Sequence, residues 1–277
     1  MDYEMIIQNF KDVMQASLIP EEFNILRNNI DNIMVNQLQR DHTAGTNYTN
    51  GGYDFINRTI NLYNEVSTTT IYHELFHVSS SYYDKQKEII FSGFHHHSKE
   101  KDIGRGLNEG YTELLTNRYF GNDNDSGYKN ETHYAKLIEG LIGKEQMQSF
   151  YLKSDLDSLI SELSKYNSVE SVMQFIDDLD KFIILGELKK DKIDNFENIP
   201  YAEYLAWFDE ANEYISKTYM QLNQFIIDSY MNKIYNDPDF EEKKNQLMTM
   251  MSEPLTFFNK EYIFDMNSQF GTSSRTI

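Results

Sequence analysis

The residues best suited to chemistry form the pattern H-E-x-x-H at positions 73–77. On a helix, residues four apart lie on the same face, so His73 and His77 can both point at one metal ion. Glu74 lies about 100 degrees further round such a helix, where its carboxylate can reach a water molecule without being a metal ligand. Apolar residues fill the intervening positions, as expected for a helix in the middle of a fold. The pattern by itself indicates either a buried helix that holds a metal ion or two histidines on the polar side of an ordinary helix, and a second segment decides between them.

A second pair of ionisable residues, Glu109 and Glu113, has the same spacing of four and so shares one face of another predicted helix. Apolar residues surround this pair (Leu107, Tyr111, Leu114 and Leu115). Two carboxylates on a partly apolar helix are costly unless a cation faces them. A zinc ion bound to His73 and His77 would be that cation.

The absence of Cys from all 277 residues narrows the metal chemistry. It excludes a disulfide framework, thiolate zinc sites, iron–sulfur clusters and cysteine nucleophiles. Any metal must therefore be held by His and carboxylate side chains, and the two segments supply that set.

Taken in this order, H-E-x-x-H at 73–77 and N-E-G-Y-T-E at 108–113 resemble the motifs of the gluzincin clan of zinc metallopeptidases. The clan includes the thermolysin-like enzymes and the aminopeptidases whose second motif reads N-E-G-[FY]. The resemblance covers residues 47–150 approximately, and it implies a zincin-like catalytic domain with two lobes.

The resemblance also implies a role for each residue. His73, His77 and Glu109 would be the zinc ligands, with water in the fourth position. Glu74 would be the general base, and Glu113 would orient a ligating histidine. Zinc would lower the pKa of the water toward ~7 and polarise the scissile carbonyl, while Glu74 would pass the water proton to the departing amine. The expected reaction is hydrolysis of a peptide bond in a peptide or protein substrate.

The chain departs from the best-known gluzincins between the two motifs. The 31 residues from 78 to 108 are more than those enzymes have, so an insertion must be accommodated. It contains His95-His96-His97, which would be an alternative third ligand, a second metal site, a substrate-contacting loop or a solvated loop. We favour the solvated loop because the flanking residues are polar and lack helical spacing. The same interpretation applies to His42.

Gluzincins also use a Tyr or His to stabilise the oxyanion of the tetrahedral intermediate. Tyr128, His133 and Tyr134 follow the predicted glutamate helix and are the nearest candidates, and the sequence does not choose among them. It also leaves open whether the enzyme would be an endopeptidase or an aminopeptidase. The lack of an upstream G-x-M-E-N-type strand disfavours the large aminopeptidase family.

Two other functions stay open. In the first, the chain is a binding or scaffold protein in which zinc ties two helices together. A structural site has no use for Glu74 and prefers four protein ligands rich in Cys, which disfavours this alternative. In the second, the chain is a toxin or effector-type protease with one protein target, which the sequence does not separate from a general peptidase.

Apolar residues recur at helical spacing over most of the sequence. We therefore expect helices to position the residues of the two motifs. Apolar residues three and four apart form one stripe over residues 200–230, and shorter helices are predicted over residues 3–17 and 21–39. Ser154 and Ser168 are the predicted N-caps of two further helices. The tail from residue 253 onward is rich in turn residues and is expected to fray.

One region breaks the helical pattern. The turn-rich residues 47–52 precede β-forming residues at 53–56 and 59–63, which predicts a hairpin or a kinked edge strand. By the gluzincin resemblance, this hairpin would supply the edge strand along which the substrate backbone lies. The predicted fold class is therefore α+β, predominantly helical. We expect one domain over residues 1–277, with an N-terminal lobe up to about residue 84 and a helical C-terminal lobe after it.

The charge balance excludes some partners. The chain has 25 Lys and Arg against 44 Asp and Glu, a net charge of -19, and it has no basic stripe that would neutralise phosphates. We therefore expect neither nucleic acid nor a membrane surface as a partner, and the sequence does not fix the oligomeric state. The first residues lack the basic and apolar regions of a signal peptide, so a cytoplasmic location is expected by default. A secreted protein whose leader had been removed would look the same.

Overall fold

A computed structural model describes most of the chain. The described residues are 1–31, 33–38, 51–63, 66–121, 128–194, 200–253, 255–257 and 260–262. Within them the chain is mostly helical and has three small sheets, which confirms the predicted α+β, predominantly helical class. None of the described helices combines the length and the apolar character needed to cross a lipid bilayer. His42 and the first part of the predicted turn at 47–52 lie outside the described residues.

The N-terminal segment forms two helices and one strand. Helix α1 (Tyr3–Ser17) has the predicted bounds, and helix α2 (Pro20–Ile30) begins at a proline, which tolerates the first turn of a helix. The prediction that this second helix continues to residue 39 is wrong, because Met34–Leu38 form strand β1. This strand pairs in parallel with strand β3 (Thr59–Tyr63), so its backbone is hydrogen-bonded in a sheet ladder instead of a helix.

The predicted hairpin is confirmed. Strand β2 (Gly51–Asp54) pairs antiparallel with β3, and the sheet order β1-β3-β2 leaves β2 at an edge. Phe55 and Ile56 belong to the connecting turn and not to the strand. The Asp54 carboxylate closes that turn by accepting a hydrogen bond from the backbone N–H of Asn57 at 3.0 Å.

Helix α3 (Thr68–Ser79) carries the H-E-x-x-H pattern through the centre of the molecule. The Ser67 side chain caps its start by accepting from the N–H of Thr70 at 3.2 Å. Every residue from Ile71 to Ser79 is buried, which a helix achieves only when other elements cover it on all sides. Helices α1 and α2 and strand β2 pack against α3, and so does the second motif helix described below.

A four-stranded antiparallel sheet occupies the insertion between the two motifs. Its strands follow one another in space as in sequence: β4 (Ser81–Asp84), β5 (Ile89–Ser92), β6 (His95–His97) and β7 (Asp102–Ile103). The interpretation of residues 95–97 as a solvated loop is therefore wrong. These histidines form a strand that is paired on both sides.

The second motif lies on helix α4 (Arg105–Phe120), which packs against α3 and two later helices, α5 (Lys129–Ile142) and α8 (Val169–Asp194). Gly110 lets α4 and α5 approach closely. A Cβ at Gly110 would lie 2.3 Å from the carbonyl carbon and oxygen of Glu131, a distance that no side chain tolerates. The glycine that follows Glu109 therefore has a packing reason to be there.

The rest of the chain adds helices around α4 and α5. They are α6 (Lys144–Leu152), α7 (Leu156–Leu163), α9 (Tyr201–Ile234) and α10 (Phe240–Met251), followed by the hairpin of β8 (Leu255–Phe257) and β9 (Lys260–Tyr262). The long α9 confirms the helix predicted from the apolar stripe. The tail was expected to fray from residue 253 onward, but its first part forms the strands β8 and β9. Residues 263–277 lie outside the described part of the chain.

The two predicted N-caps have different outcomes. Ser168 caps α8 as predicted, since its hydroxyl accepts from the N–H of Ser171 at 3.2 Å. The prediction for Ser154 is wrong. Asp155 caps α7 by accepting from the N–H of Ser158 at 2.9 Å, while the Ser154 hydroxyl donates to the carbonyl of Ser80.

Buried apolar residues from α1 through β8 form one continuous cluster. Helices α3 and α4, which carry the two motifs, both contribute residues to this cluster. The division into two lobes near residue 84 remains a prediction.

Candidate metal centre

The packing of α3 against α4 brings together the three residues that the sequence predicts as metal ligands. Nε2 of His73 lies 3.1 Å from Nε2 of His77 and 3.2 Å from Oε2 of Glu109. Nε2 of His77 lies 3.3 Å from the same Glu109 oxygen. The three side chains are only 11% to 15% exposed, so the three atoms form a compact and buried triangle.

The size of this triangle fits a transition-metal ion. Metal bonds of ~2.0–2.1 Å in a tetrahedron place neighbouring ligand atoms about 3.3 Å apart. The three measured separations, 3.1, 3.2 and 3.3 Å, match the edges of one face of such a tetrahedron. Two imidazoles and one carboxylate are also a donor set that zinc accepts, and they leave a fourth position open. The residues present therefore fit a zinc ion.

Glu113 lies against the other ring nitrogen of His73, as the spacing of four on α4 predicts. Its Oε2 is 3.1 Å from Nδ1 of His73, so His73 is held between two carboxylates. Burial lowers the pKa of His73, but the hydrogen bonds to Glu109 and Glu113 outweigh burial and raise that pKa to about 10. The position thus demands a cation, which is either a proton on His73 or a bound metal ion.

Asn108 is a site residue that the sequence reasoning missed. Its amide oxygen accepts from the backbone N–H of Phe94 at 3.0 Å, and its amide nitrogen lies 3.2 Å from Nδ1 of His77. A histidine that binds metal through Nε2 carries its proton on Nδ1 and needs an acceptor there. Asn108 lies at that ring nitrogen of His77 and links it to the backbone of Phe94. The signal was available in the sequence, since Asn108 directly precedes the predicted ligand Glu109.

Glu74 lies next to the triangle but is not part of it. Its side chain is buried, and no described residue forms a hydrogen bond with its carboxylate. Burial raises the pKa of Glu74, whereas the nearby His77 and His73 act to lower it. A carboxylate with a raised pKa beside a candidate metal position is a stronger proton acceptor than an exposed glutamate.

The edge strand β2 meets helix α3 at Glu74. A Cβ at Gly51 would lie 3.2 Å from both Cγ and Oε1 of Glu74, so the glycine lets the strand approach the carboxylate closely. The side of β2 that faces away from β3 has no partner strand among the described residues. An extended peptide that paired with this edge would therefore lie next to the strand that contacts Glu74.

Of the three candidates for oxyanion stabilisation, Tyr128 is the one that lies beside the triangle. Its ring stacks on that of His73, with the ring centroids 5.8 Å apart and the planes at 16°. The negative charge of Glu109 raises the pKa of Tyr128 well above its ordinary value, and burial and Glu74 add to this effect. The phenol therefore keeps its proton at neutral pH and is a hydrogen-bond donor.

The other two candidates point elsewhere. His133 is buried, and its Nδ1 lies 3.6 Å from Oε2 of Glu253, near the end of α10. Tyr134 is fully buried and packs edge-on against Phe175 of α8. Neither residue is brought to the triangle.

Side chains from α8 hold the start of α4, and thereby Glu109. The Asp180 carboxylate accepts from the N–H of Gly104 at 2.8 Å and from the N–H of Gly106 at 2.7 Å. Arg105 forms two hydrogen bonds with the carboxylate of Glu187. These contacts satisfy backbone donors that a helix start leaves unpaired and fix the position of α4.

Comparison of the chain with protein-family models, with curated protein sequences and with solved structures finds no match.

Proposed function

We propose that the protein is a zinc-dependent peptidase of the gluzincin type. The single observation that carries this proposal is the triangle of His73, His77 and Glu109 at tetrahedral spacing with the buried Glu74 beside it. A structural zinc site would close the fourth position with a protein ligand and would gain nothing from a buried carboxylate that stays outside the triangle.

His73, His77 and Glu109 would hold the ion. When bound, zinc would act as a Lewis acid that polarises the scissile carbonyl and lowers the pKa of a water molecule. Glu113 keeps a hydrogen bond on Nδ1 of His73, which fixes the orientation of the ring. The protein thus provides a rigid and largely buried donor set.

Glu74 is the proton carrier of the proposed reaction. Its carboxylate accepts a proton from the attacking water and delivers it to the amine that departs when the peptide bond breaks. The hydroxyl of Tyr128 donates a hydrogen bond to the substrate carbonyl oxygen as negative charge develops there. The edge of β2 holds the substrate backbone in extended form beside Glu74.

A peptide-library digest tests this proposal. The full chain loaded with zinc is incubated with a mixed peptide library, and the products are read by mass spectrometry. Matched samples contain a chelator or the His77→Ala variant. We expect defined cleavage with zinc and none in the other two samples. Cleavage that persists with the chelator, or a zinc-loaded protein that cleaves no peptide, would overturn the proposal.

A further inference from the structure

The strands β6 and β7 carry a second cluster of residues with metal-binding side chains. Alternation along β6 places His95 and His97 on one face of the sheet and His96 on the other. The strand register pairs His97 with Asp102 of β7, so the carboxylate lies on the same face as the two imidazoles. The sheet therefore groups two histidines and one aspartate around a single point.

The distances within this cluster suit a cation. Nδ1 of His97 lies 3.3 Å from Oδ1 of Asp102, and Nε2 of His95 is hydrogen-bonded to the same oxygen. One ligand atom from each of the three residues lies within 4.8 Å of the other two. Two imidazoles and one carboxylate favour zinc, nickel or copper over magnesium or calcium, which prefer oxygen ligands.

His96 has a separate and structural explanation. Its Nε2 lies 3.3 Å from the carbonyl oxygen of Ser154, and its ring packs edge-on against Phe91. It belongs to the opposite face of the sheet, so it serves as a matched control for its two neighbours.

Hydrogen bonds hold the turn of the β6–β7 hairpin in place. The N–H of Ser98 donates to the carbonyl of Lys101 at 2.8 Å, and the Ser98 hydroxyl accepts from the N–H of Lys101 at 3.0 Å. These bonds close the turn between β6 and β7 and hold Asp102 opposite His97. The guanidinium of Arg105, whose charge acts on His95, is paired with Glu187, which reduces its repulsion of a cation.

We propose that His95, His97 and Asp102 form a second, solvent-accessible binding site for a divalent transition-metal ion. The His97 and Asp102 side chains are 54% and 56% exposed, against at most 15% for the first centre, so the second ion exchanges readily and binds more weakly. The site lies at the junction between β7 and α4, the helix that carries Glu109. A cation there ties β6 to β7, the strand that leads into that helix.

Metal titration of the full chain tests this proposal. The protein is stripped with a chelator, titrated with Zn²⁺ against a chromophoric competitor, and analysed for bound metal. We expect two equivalents in the wild type, the weaker of which is lost or weakened by at least about tenfold in His95→Gln, His97→Gln and Asp102→Asn. His96→Gln should keep both equivalents. Circular dichroism and thermal unfolding in chelator verify that each variant folds, and Mg²⁺ in place of Zn²⁺ should leave the site unfilled.

The outcomes separate the two sites. A wild type that binds one equivalent, lost in His77→Ala, would overturn the second site and leave the first intact. A folded His97→Gln variant that binds two equivalents, both with the affinities of the wild type, would also overturn it. One equivalent that survives in His77→Ala and disappears in the double variant with His97→Gln supports the second site by itself.

Discussion

At the scale of single residues, the central feature is the set of contacts around His73. The ring meets Glu109 through Nε2 and Glu113 through Nδ1, and Tyr128 stacks on its face. Each of these contacts has a chemical use in a metal centre. In the proposed zinc centre, the carboxylate of Glu109 would bind the ion, that of Glu113 would orient the ring, and the phenol of Tyr128 would offer a hydrogen bond to the substrate.

Glu113→Ala should weaken zinc binding at the first centre by about 10–100-fold, because His73 loses the acceptor that fixes its orientation and tautomer. The measurement is a competitive zinc titration in the His97→Gln background, which isolates the first centre. Glu145→Ala, a change on the exposed face of α6, is the control and should leave the affinity unchanged. Unchanged affinity in the Glu113 variant would show that His73 is held by other contacts.

Tyr128→Phe should lower kcat by about 10²–10³, since it removes one donor to the developing oxyanion and keeps the ring that stacks on His73. Metal content and KM should change little. Steady-state kinetics on the best peptide from the library digest measure the effect. Tyr134→Phe is the matched control, because Tyr134 lies in the core away from the centre. Equal rates for wild type and Tyr128→Phe would remove Tyr128 from the mechanism.

The sequence alone places His73 and His77 together because their spacing is local. Glu109 lies 36 residues from His73, and it was assigned to the same site by the gluzincin resemblance. Two residues four apart on a helix share a face whatever the rest of the chain does. Asn108 could also have been inferred from its place before Glu109. The choice of Tyr128 over His133 and Tyr134 could not, because it depends on where helix α5 begins and how it packs on α4, which are tertiary properties.

At the scale of elements, helix α4 owes its position to contacts at its start and along its length. Asp180 binds the N–H groups of Gly104 and Gly106, and Gly110 lets α5 pack within backbone contact. These contacts fix the position of α4 and thereby the distances from Glu109 to His73 and His77.

Asp180→Ala should destabilise the protein by about 1–2 kcal/mol, because the start of α4 loses its side-chain cap. Chemical unfolding monitored by circular dichroism measures the change. Asp177→Ala, one turn earlier on α8 and largely exposed, is the control and should have a smaller effect. A change in Asp180→Ala no larger than that of the control would mean that the start of α4 is satisfied by other groups.

Two predictions from the sequence are wrong because they depend on how secondary-structure elements pair with one another. The segment after Ile30 has helical spacing but forms β1, because β3 offers it a pairing partner from a distant part of the chain. Residues 95–97 looked like a polar loop because strand pairing on both sides leaves no local signature in a three-residue strand. Long helices such as α9 were predicted well, since their stripe of apolar residues extends over many turns.

At the scale of the whole molecule, the proposed first metal centre would join the part of the chain that contains α1–α3 to the helices around α4. A ligand that binds only the folded state stabilises it, and zinc at 100-fold over its Kd would add about 2.7 kcal/mol. The ion would also offset the repulsion between Glu74 and Glu109, which share a buried site in a chain of net charge -19.

Chelation should therefore lower the Tm of the protein, and zinc should restore it. The His97→Gln background restricts the effect to the first centre. Differential scanning fluorimetry at several zinc concentrations measures the shift. The further variant His77→Ala in the same background should show no zinc-dependent shift. An unchanged Tm on chelation of a protein that had bound zinc would contradict the placement of the ion between α3 and α4.

The most direct test of the central claim is the activity of Glu74→Gln at known metal content. Zinc content and the rate of peptide hydrolysis are measured on the same samples of wild type, Glu74→Gln and the exposed control Glu145→Gln. We predict that Glu74→Gln keeps its zinc and loses at least about 10²-fold in kcat, because the proton carrier is gone, while the control matches the wild type. Full turnover in zinc-loaded Glu74→Gln would contradict the account.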